Sequence, residues 1–339
     1  MKRSESAKMH LKVRKRKGEV VRKRLLDLGV LDKSRRILKD EDFLFIPVLE
    51  EIDIPDAKIV WMNGKGIKRK PFSLRESLKG KLTENELKIA PKSFDILGDI
   101  AVLEIPEELK DKKGIIGNSL LKTFKNIKVV AAKKTAVGTE FRTREVEIIA
   151  GEQRTETVHR EYNCLYKLDV SSTYFSPRLG TERMRIAKQV RDNERVLVMF
   201  AGVGPYAILI SKKSNARVYA IELNPKAFEY MKENIRMNKV DVVAINGDVR
   251  DKVPKLGKFN RIVMPLPKDA GDFLDVALPA LEKNGVVHFY DFSHNVDESI
   301  EKLRGICGDL GYKIQILDAV KCGSYSPGIF RICVDFRVI

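Results

Sequence analysis

Gly202 and Gly204 stand two positions apart in VLVMFAGVGPYAILIS, residues 196–211, where one apolar run turns into another. Glycine there permits tight bending and close backbone approach, and a helix opening at Pro205 would aim free N–H groups at a polar ligand. Two acids extend the pattern. Glu222 closes RVYAIE and could hold a pair of ribose hydroxyls, while Asp248 closes VVAINGD and suits the amino group of an adenine. Gly202, Gly204 and Ala207 also meet the loose spacing G-x-G-x-x-A, which a dinucleotide site or a bare strand-to-helix connection would satisfy equally well. Pro205 removes an N–H where a pyrophosphate wants donors, and this argues against a nicotinamide dinucleotide.

Such groups need a sheet to carry them. From about residue 168 the chain alternates strand and helix: VLVMFAG with PYAILISKK, RVYAIEL with PKAFEYMKENIRMN, VVAINGD with a short helical turn, RIVMPLP with DFLDVALPALEK, and GVVHFYDF with VDESIEKLRGICGDLG. Five such units imply a parallel sheet covered on both faces by helices. YKIQILDAV and GIFRICVDFRVI, separated by KCGSYSP, leave no room for a helix and so form an antiparallel hairpin at one sheet edge. Residues 1–62 read as a small basic α+β domain, and the glycine- and lysine-rich 63–70 as a linker. Residues 71–167 read as a central α/β domain, with FDILGDIAVLEIP as one strand, and 168–339 as the ligand-binding domain. Thr181 reads as the N-cap of a helix that carries Glu182 and Arg183 in its first turn.

The 339 residues carry a net charge of +17. In the first 40 positions, 15 Lys or Arg face 5 Asp or Glu, an excess of 10 that suits the phosphate backbone of a nucleic acid. A solvated basic face is the plainer alternative. No stretch has the length and apolarity of a membrane span or a secretory leader, so the expectation is a cytoplasmic protein. Cys164, Cys307, Cys322 and Cys333 lie far apart with no paired spacing, which suggests neither a zinc site nor disulfides. His159 and His288 fall in strand patterns and read as structural.

The glycine turn, its two acids and the terminal hairpin together resemble the S-adenosylmethionine-dependent methyltransferases, with a Rossmann-like sheet. With YFSPRLGTERMRIAKQV, FAGVGPYAI, ELNPKAFEYMKENI and EFRTREVEIIAGE, the chain resembles the archaeal and eukaryotic-type tRNA guanine-37 N1-methyltransferases over essentially its whole length. The resemblance implies S-adenosylmethionine as cofactor and tRNA as partner; in-line displacement at a sulfonium methyl needs only positioning and a nucleophile, so no metal is expected, and a monomer is expected. It implies Glu182 as general base and Arg142 as the group that holds guanine O6. Tyr174, Pro177, Arg178 and Arg183 would surround the target base and its phosphates; Phe200, Val249 and Pro265 would join Gly202, Gly204, Glu222 and Asp248 around the cofactor. Two positions depart from the pattern: Pro265 opens the tetrad Pro-Leu-Pro-Lys where relatives carry asparagine, and Val198 stands where they often carry aspartate. Pro265 would also touch the substrate. The departures leave open a wyosine-pathway enzyme acting at position 37, by methylation or aminocarboxypropyl transfer, or an RNA-binding protein without catalysis.

Overall fold

A computed structural model describes residues 8–32, 34–62, 73–134 and 145–339 and divides into two compact units, Met1–Ser73 and Leu74–Ile339. The linker expected at 63–70 and Arg142 lie outside the described residues. In the first unit, Leu11 and Val13 of β1 (Lys8–Arg14) are buried. Helix α1 (Gly18–Asp27) adds Val21 and Leu25, four apart on one face. With β2 (Leu38–Lys39), β3 (Phe43–Pro47) and β4 (Ala57–Met62), β1 makes a sheet of order β2-β3-β1-β4, antiparallel throughout.

The second unit opens with α2 (Leu74–Leu78) and α3 (Glu84–Ile89), the latter capped reciprocally by Thr83 and Glu86. FDILGDIAVLEIP is not one strand. It turns back at Gly98, φ +56°, into β5 (Asp95–Leu97) and β6 (Ile100–Leu103), a left-handed position that glycine adopts without strain. Helix α4 (Lys113–Thr123), β7 (Val129–Lys133) and β8 (Val146–Gly151) complete a sheet of order β5-β6-β7-β8.

A separate hairpin follows, β9 (Glu156–Glu161) and β10 (Cys164–Asp169). Its two-residue loop, Tyr162 and Asn163, has φ +47° and +62°, the signs a type I′ turn requires.

Then come α5 (Gly180–Gln189), β11 (Arg195–Val198), α6 (Pro205–Lys213), β12 (Arg217–Glu222), α7 (Pro225–Asn238), β13 (Val242–Asn246), α8 (Val249–Lys252) and β14 (Phe259–Met264). After α9 (Leu274–Ala277), the chain ends in β15 (Leu281–Ser293), α10 (Val296–Asp309), β16 (Ile314–Ser326) and β17 (Ile329–Val338). These strands form a seven-stranded sheet of order β13-β12-β11-β14-β15-β17-β16, parallel except for β17, which runs against both neighbours. Val196, Leu197 and Val198 are wholly buried at its centre, as expected of a strand covered on both faces.

Two local expectations change. DFLDVALPALEK gives one α-turn flanked by 3₁₀ turns, because Pro279 cannot continue a helix, and Leu281 already enters β15. KCGSYS is strand, and the hairpin reverses only at Pro327 and Gly328.

Helix α7 also clasps the edge of β10. Asn234 accepts from the Lys167 N–H at 2.7 Å and donates to its carbonyl at 3.0 Å; Asn238 does the same to Leu165 at 2.8 and 2.6 Å.

Candidate active site

The turn after β11 is left-handed at three places: Phe200 at φ +55°, Gly202 at +58° and Gly204 at +88°. For Phe200 this is an unusual backbone state, and such states collect at ligand sites. A Cβ on Gly204 would lie 3.0 Å from the Met231 side chain, so the residue is held by space as well as by φ. The Gly202 N–H donates to Glu222 Oε2 at 2.6 Å, and Oε1 accepts from the Asn224 N–H at 2.8 Å. Burial raises the Glu222 pKa, against the pull of these two N–H groups. The carboxylate that closes β12 is thus aimed at the glycine turn. Asp248 caps α8 by accepting from Arg250 N at 2.8 Å, and the next residue, Val249, is buried. Pro265 follows β14 in a tight turn, with Leu266 N donating to Met264 O at 2.8 Å. That γ-turn suits the restricted φ of proline. Glu222, Asp248 and Pro265 stand at or just beyond the carboxyl ends of β12, β13 and β14, the end of a parallel sheet at which ligands sit.

Glu182 is buried, with 5% of its side chain exposed. Arg185, one helical turn on, donates Nε to Oε2 and Nη2 to Oε1, both at 2.8 Å. The Tyr290 hydroxyl donates to Oε1 at 2.7 Å and accepts from the Tyr206 hydroxyl at 3.0 Å. Burial holds both phenols well above the usual tyrosine range, so both keep the proton they donate. Tyr206 is the second residue of α6, so two hydrogen bonds join the Glu182 carboxylate to the helix that opens at the glycine turn.

Arg185 also donates to Asp335 at 2.6 and 3.2 Å. Asp335 accepts further from Gln189 at 2.9 Å and from His288 Nδ1 at 2.7 Å. Arg261 Nη1 donates to His288 Nε2 at 2.8 Å, so the imidazole is neutral with its proton on Nδ1. Burial lowers the His288 pKa. Burial also works to raise that of Asp335, but its donors outweigh this and hold it far below the carboxylate range. His288, Cys333 and Asp335 bring metal-type donor atoms within 4.8 Å of one another, yet the imidazole and carboxylate lone pairs are taken up by these cations and amides.

The structure places the other expected residues less uniformly. Arg183 is buried in an ion pair with Glu161, Nε to Oε1 at 2.8 Å, and also holds the Ser176 carbonyl at 3.1 Å. Tyr174 accepts at its hydroxyl from Arg331 at 3.2 Å, and its carbonyl lies 3.6 Å from where a Gly202 Cβ would stand. Arg178 is exposed and paired with Asp95 at 2.7 Å. Thr181 is exposed and is not the cap. Pro177 starts a 3₁₀ turn, Pro177–Leu179, which runs directly into α5 at Gly180, so helical winding begins ahead of the threonine. Sequence reasoning passed over Arg185, Tyr206, Tyr290 and Asp335. Only Arg185 carried a signal, its position three residues after Glu182 on one helix face.

A sheet of this order, with a left-handed glycine turn after its first strand and an acid closing the second, defines an S-adenosylmethionine-dependent methyltransferase fold. Residues 157–315 match the TRM5/TYW2 methyltransferase domain, 74–155 the TYW2 N-terminal domain and 11–56 the tRNA methyltransferase 5 N-terminal domain. The chain is 41% identical over 332 residues to tRNA (guanine(37)-N(1))-methyltransferase Trm5b of Pyrococcus abyssi, covering 97% of this chain and 98% of that protein. It therefore belongs to the TRM5/TYW2 family of methyltransferases. The crystal structure of wild-type Trm5b from Pyrococcus abyssi superposes with a TM-score of 0.82, covering 98% of this chain and 99% of that one. A complex of aTrm5 with tRNALeu superposes at 0.77 with 34% identity, covering 98% and 100%.

Proposed function

We propose that this protein transfers a methyl group from S-adenosylmethionine to N1 of guanine-37, beside the anticodon of tRNA. The observation that carries the reading is Glu182, a buried carboxylate tied through Tyr290 and Tyr206 to the start of the helix that opens at the glycine turn. The site fits the cofactor. The left-handed turn from Phe200 to Gly204 gives close backbone approach, Glu222 a carboxylate for ribose hydroxyls, and Asp248, Val249 and Pro265 the far wall. Bound there, S-adenosylmethionine would supply a methyl group on a cationic sulfur that departs as a neutral thioether.

What remains for the chain is proton removal and charge stabilisation. Guanine N1 carries a proton, and as it leaves, negative charge spreads to O6. Glu182 takes that proton. Arg142, beyond the described residues, is assigned to O6 by its motif. Tyr174 and Pro177 flank the base, and the exposed Arg178 exchanges its Asp95 partner for a phosphate. Arg183 works from beneath, fixing the Ser176 carbonyl.

Residues 1–62 grip tRNA away from the reacting base, 71–167 form a central domain, and 168–339 carry the chemistry, in a monomer working in the cytoplasm. Deleting 1–62 should leave S-adenosylmethionine binding intact, weaken tRNA binding and flatten its salt dependence, since fewer counterions are released. A truncated chain with unchanged tRNA affinity and salt slope would make the basic N-terminus a solvated surface.

Pro265 favours a second reading, wyosine-pathway chemistry at the same position, because proline offers no side-chain amide to hold the base. Mass spectrometry of a guanine-37 tRNA transcript, incubated with protein and cofactor, separates the readings. A methyl increment on the guanine supports the proposal; a methyl or aminocarboxypropyl increment seen only in a parallel incubation with tRNA carrying the tricyclic base at position 37 supports the second reading, and no change in either RNA defeats both.

A further inference from the structure

Glu182 Oε1 receives two donors, the Arg185 Nη2–H and the Tyr290 hydroxyl, whereas Oε2 receives the Arg185 Nε–H. The Cys322 thiol is hydrogen-bonded to the same carboxylate, so three side chains hold it in one orientation. We infer that Tyr290 and Arg185 are positioning residues that lock the Glu182 carboxylate in the orientation from which it takes the substrate proton. This rests on the reading of Glu182 as the base. Four elements besides α5 place groups around the carboxylate. Tyr290 comes from β15 and Tyr206 from α6, Cys322 from β16, and Cys333 and Asp335 from β17. Arg185 is itself fixed on its other side by Asp335, which Gln189 and the neutral His288 hold in turn. The carboxylate thus has a built orientation rather than a free rotor, and proton abstraction depends strongly on such orientation.

The test is a double-mutant cycle on single-turnover methyl transfer, with tRNA and S-adenosylmethionine affinities measured for every variant. Tyr290→Phe keeps the ring and removes only the hydroxyl. It should slow the chemical step by about 10–100-fold while both affinities stay near the parent's. Glu182→Gln should slow the step by about 10²–10⁴-fold, and adding Tyr290→Phe to it should cost nothing more, because the hydroxyl then has no carboxylate to hold. Arg185→Lys, which keeps charge but loses the two-pronged grip, should fall between these and show the same non-additivity. Equal rates for Tyr290→Phe and parent, or full multiplication of the two effects, would overturn the positioning role while leaving Glu182 as base. A Glu182→Gln variant as fast as the parent would overturn the base assignment and this inference with it.

Discussion

The exposed ion pairs of the first unit and a buried network in the second hold their cations in opposite ways. In the first, the pair Lys17 and Asp56 is exposed, 47% and 61% by side chain, and Arg22 meets Glu19 at 2.6 Å on an open helix face. In the second, Arg183 and Glu161 are 2% and 9% exposed, and Arg185, Arg261 and His288 join Glu182, Glu194 and Asp335 in one buried series of contacts. Water screens the first set, so it is a weak fastening. The second set has lost its water and holds only because every member is partnered, which fixes where each carboxylate points.

That contrast can be broken most strongly at Arg183. Arg183→Met strands the Glu161 carboxylate in the interior and should cost about 3–5 kcal/mol in chemical denaturation; a cost below about 1 kcal/mol would mean that the pair is no fastening. Glu222→Ala should weaken S-adenosylmethionine binding by about 1–3 kcal/mol in calorimetry, and unchanged affinity removes the residue from the site. His288 sharpens the comparison through pH. Its folded pKa is lowered, so below about 6.5 the unfolded chain binds a proton that the folded chain refuses. Its contribution is complete above that value and is lost as pH falls, at up to about 1.4 kcal/mol per pH unit. Thermal melts at pH 7.5 and 5.5 should therefore converge in His288→Asn relative to the parent, and equal spacing in both would deny the histidine this role. Asp56→Asn marks the other extreme. It should leave the melting temperature unchanged, and a clear drop would show that the first unit also relies on its ion pairs.

The alternation that builds the seven-stranded sheet was legible because apolar runs and turn residues repeat in VLVMFAG, RVYAIEL and RIVMPLP, and the two acids closing strands could be read by position alone. The hairpin β5–β6 was not, since nothing in FDILGDIAVLEIP except one glycine marks the reversal. Thr181 misled because a cap is favoured by side-chain chemistry, while Pro177 had already set the winding. Tyr206, Tyr290 and Asp335 were out of reach for a different reason. Tyr290 meets Glu182 and Asp335 meets Arg185 across sequence separations of 108 and 150 residues, and Tyr206 meets Tyr290 across 84, which no local pattern encodes.

The clasp of α7 on β10 has a consequence for solubility and folding fidelity. A two-stranded hairpin has two unpaired margins, each a template on which another chain could add a strand, and alone it is only marginally stable. Here Asn234 and Asn238 imitate the peptide groups of a third strand against Leu165 and Lys167. On the opposite margin the turn at Gly98 and Asp99 donates to His159 and Thr157. The β10 margin is closed by groups at fixed positions, so a slip of β10 by one residue would break four amide contacts at once and turn its buried face outward. The asparagines therefore act as a register stop and an aggregation guard on a strand pair that has no sheet of its own.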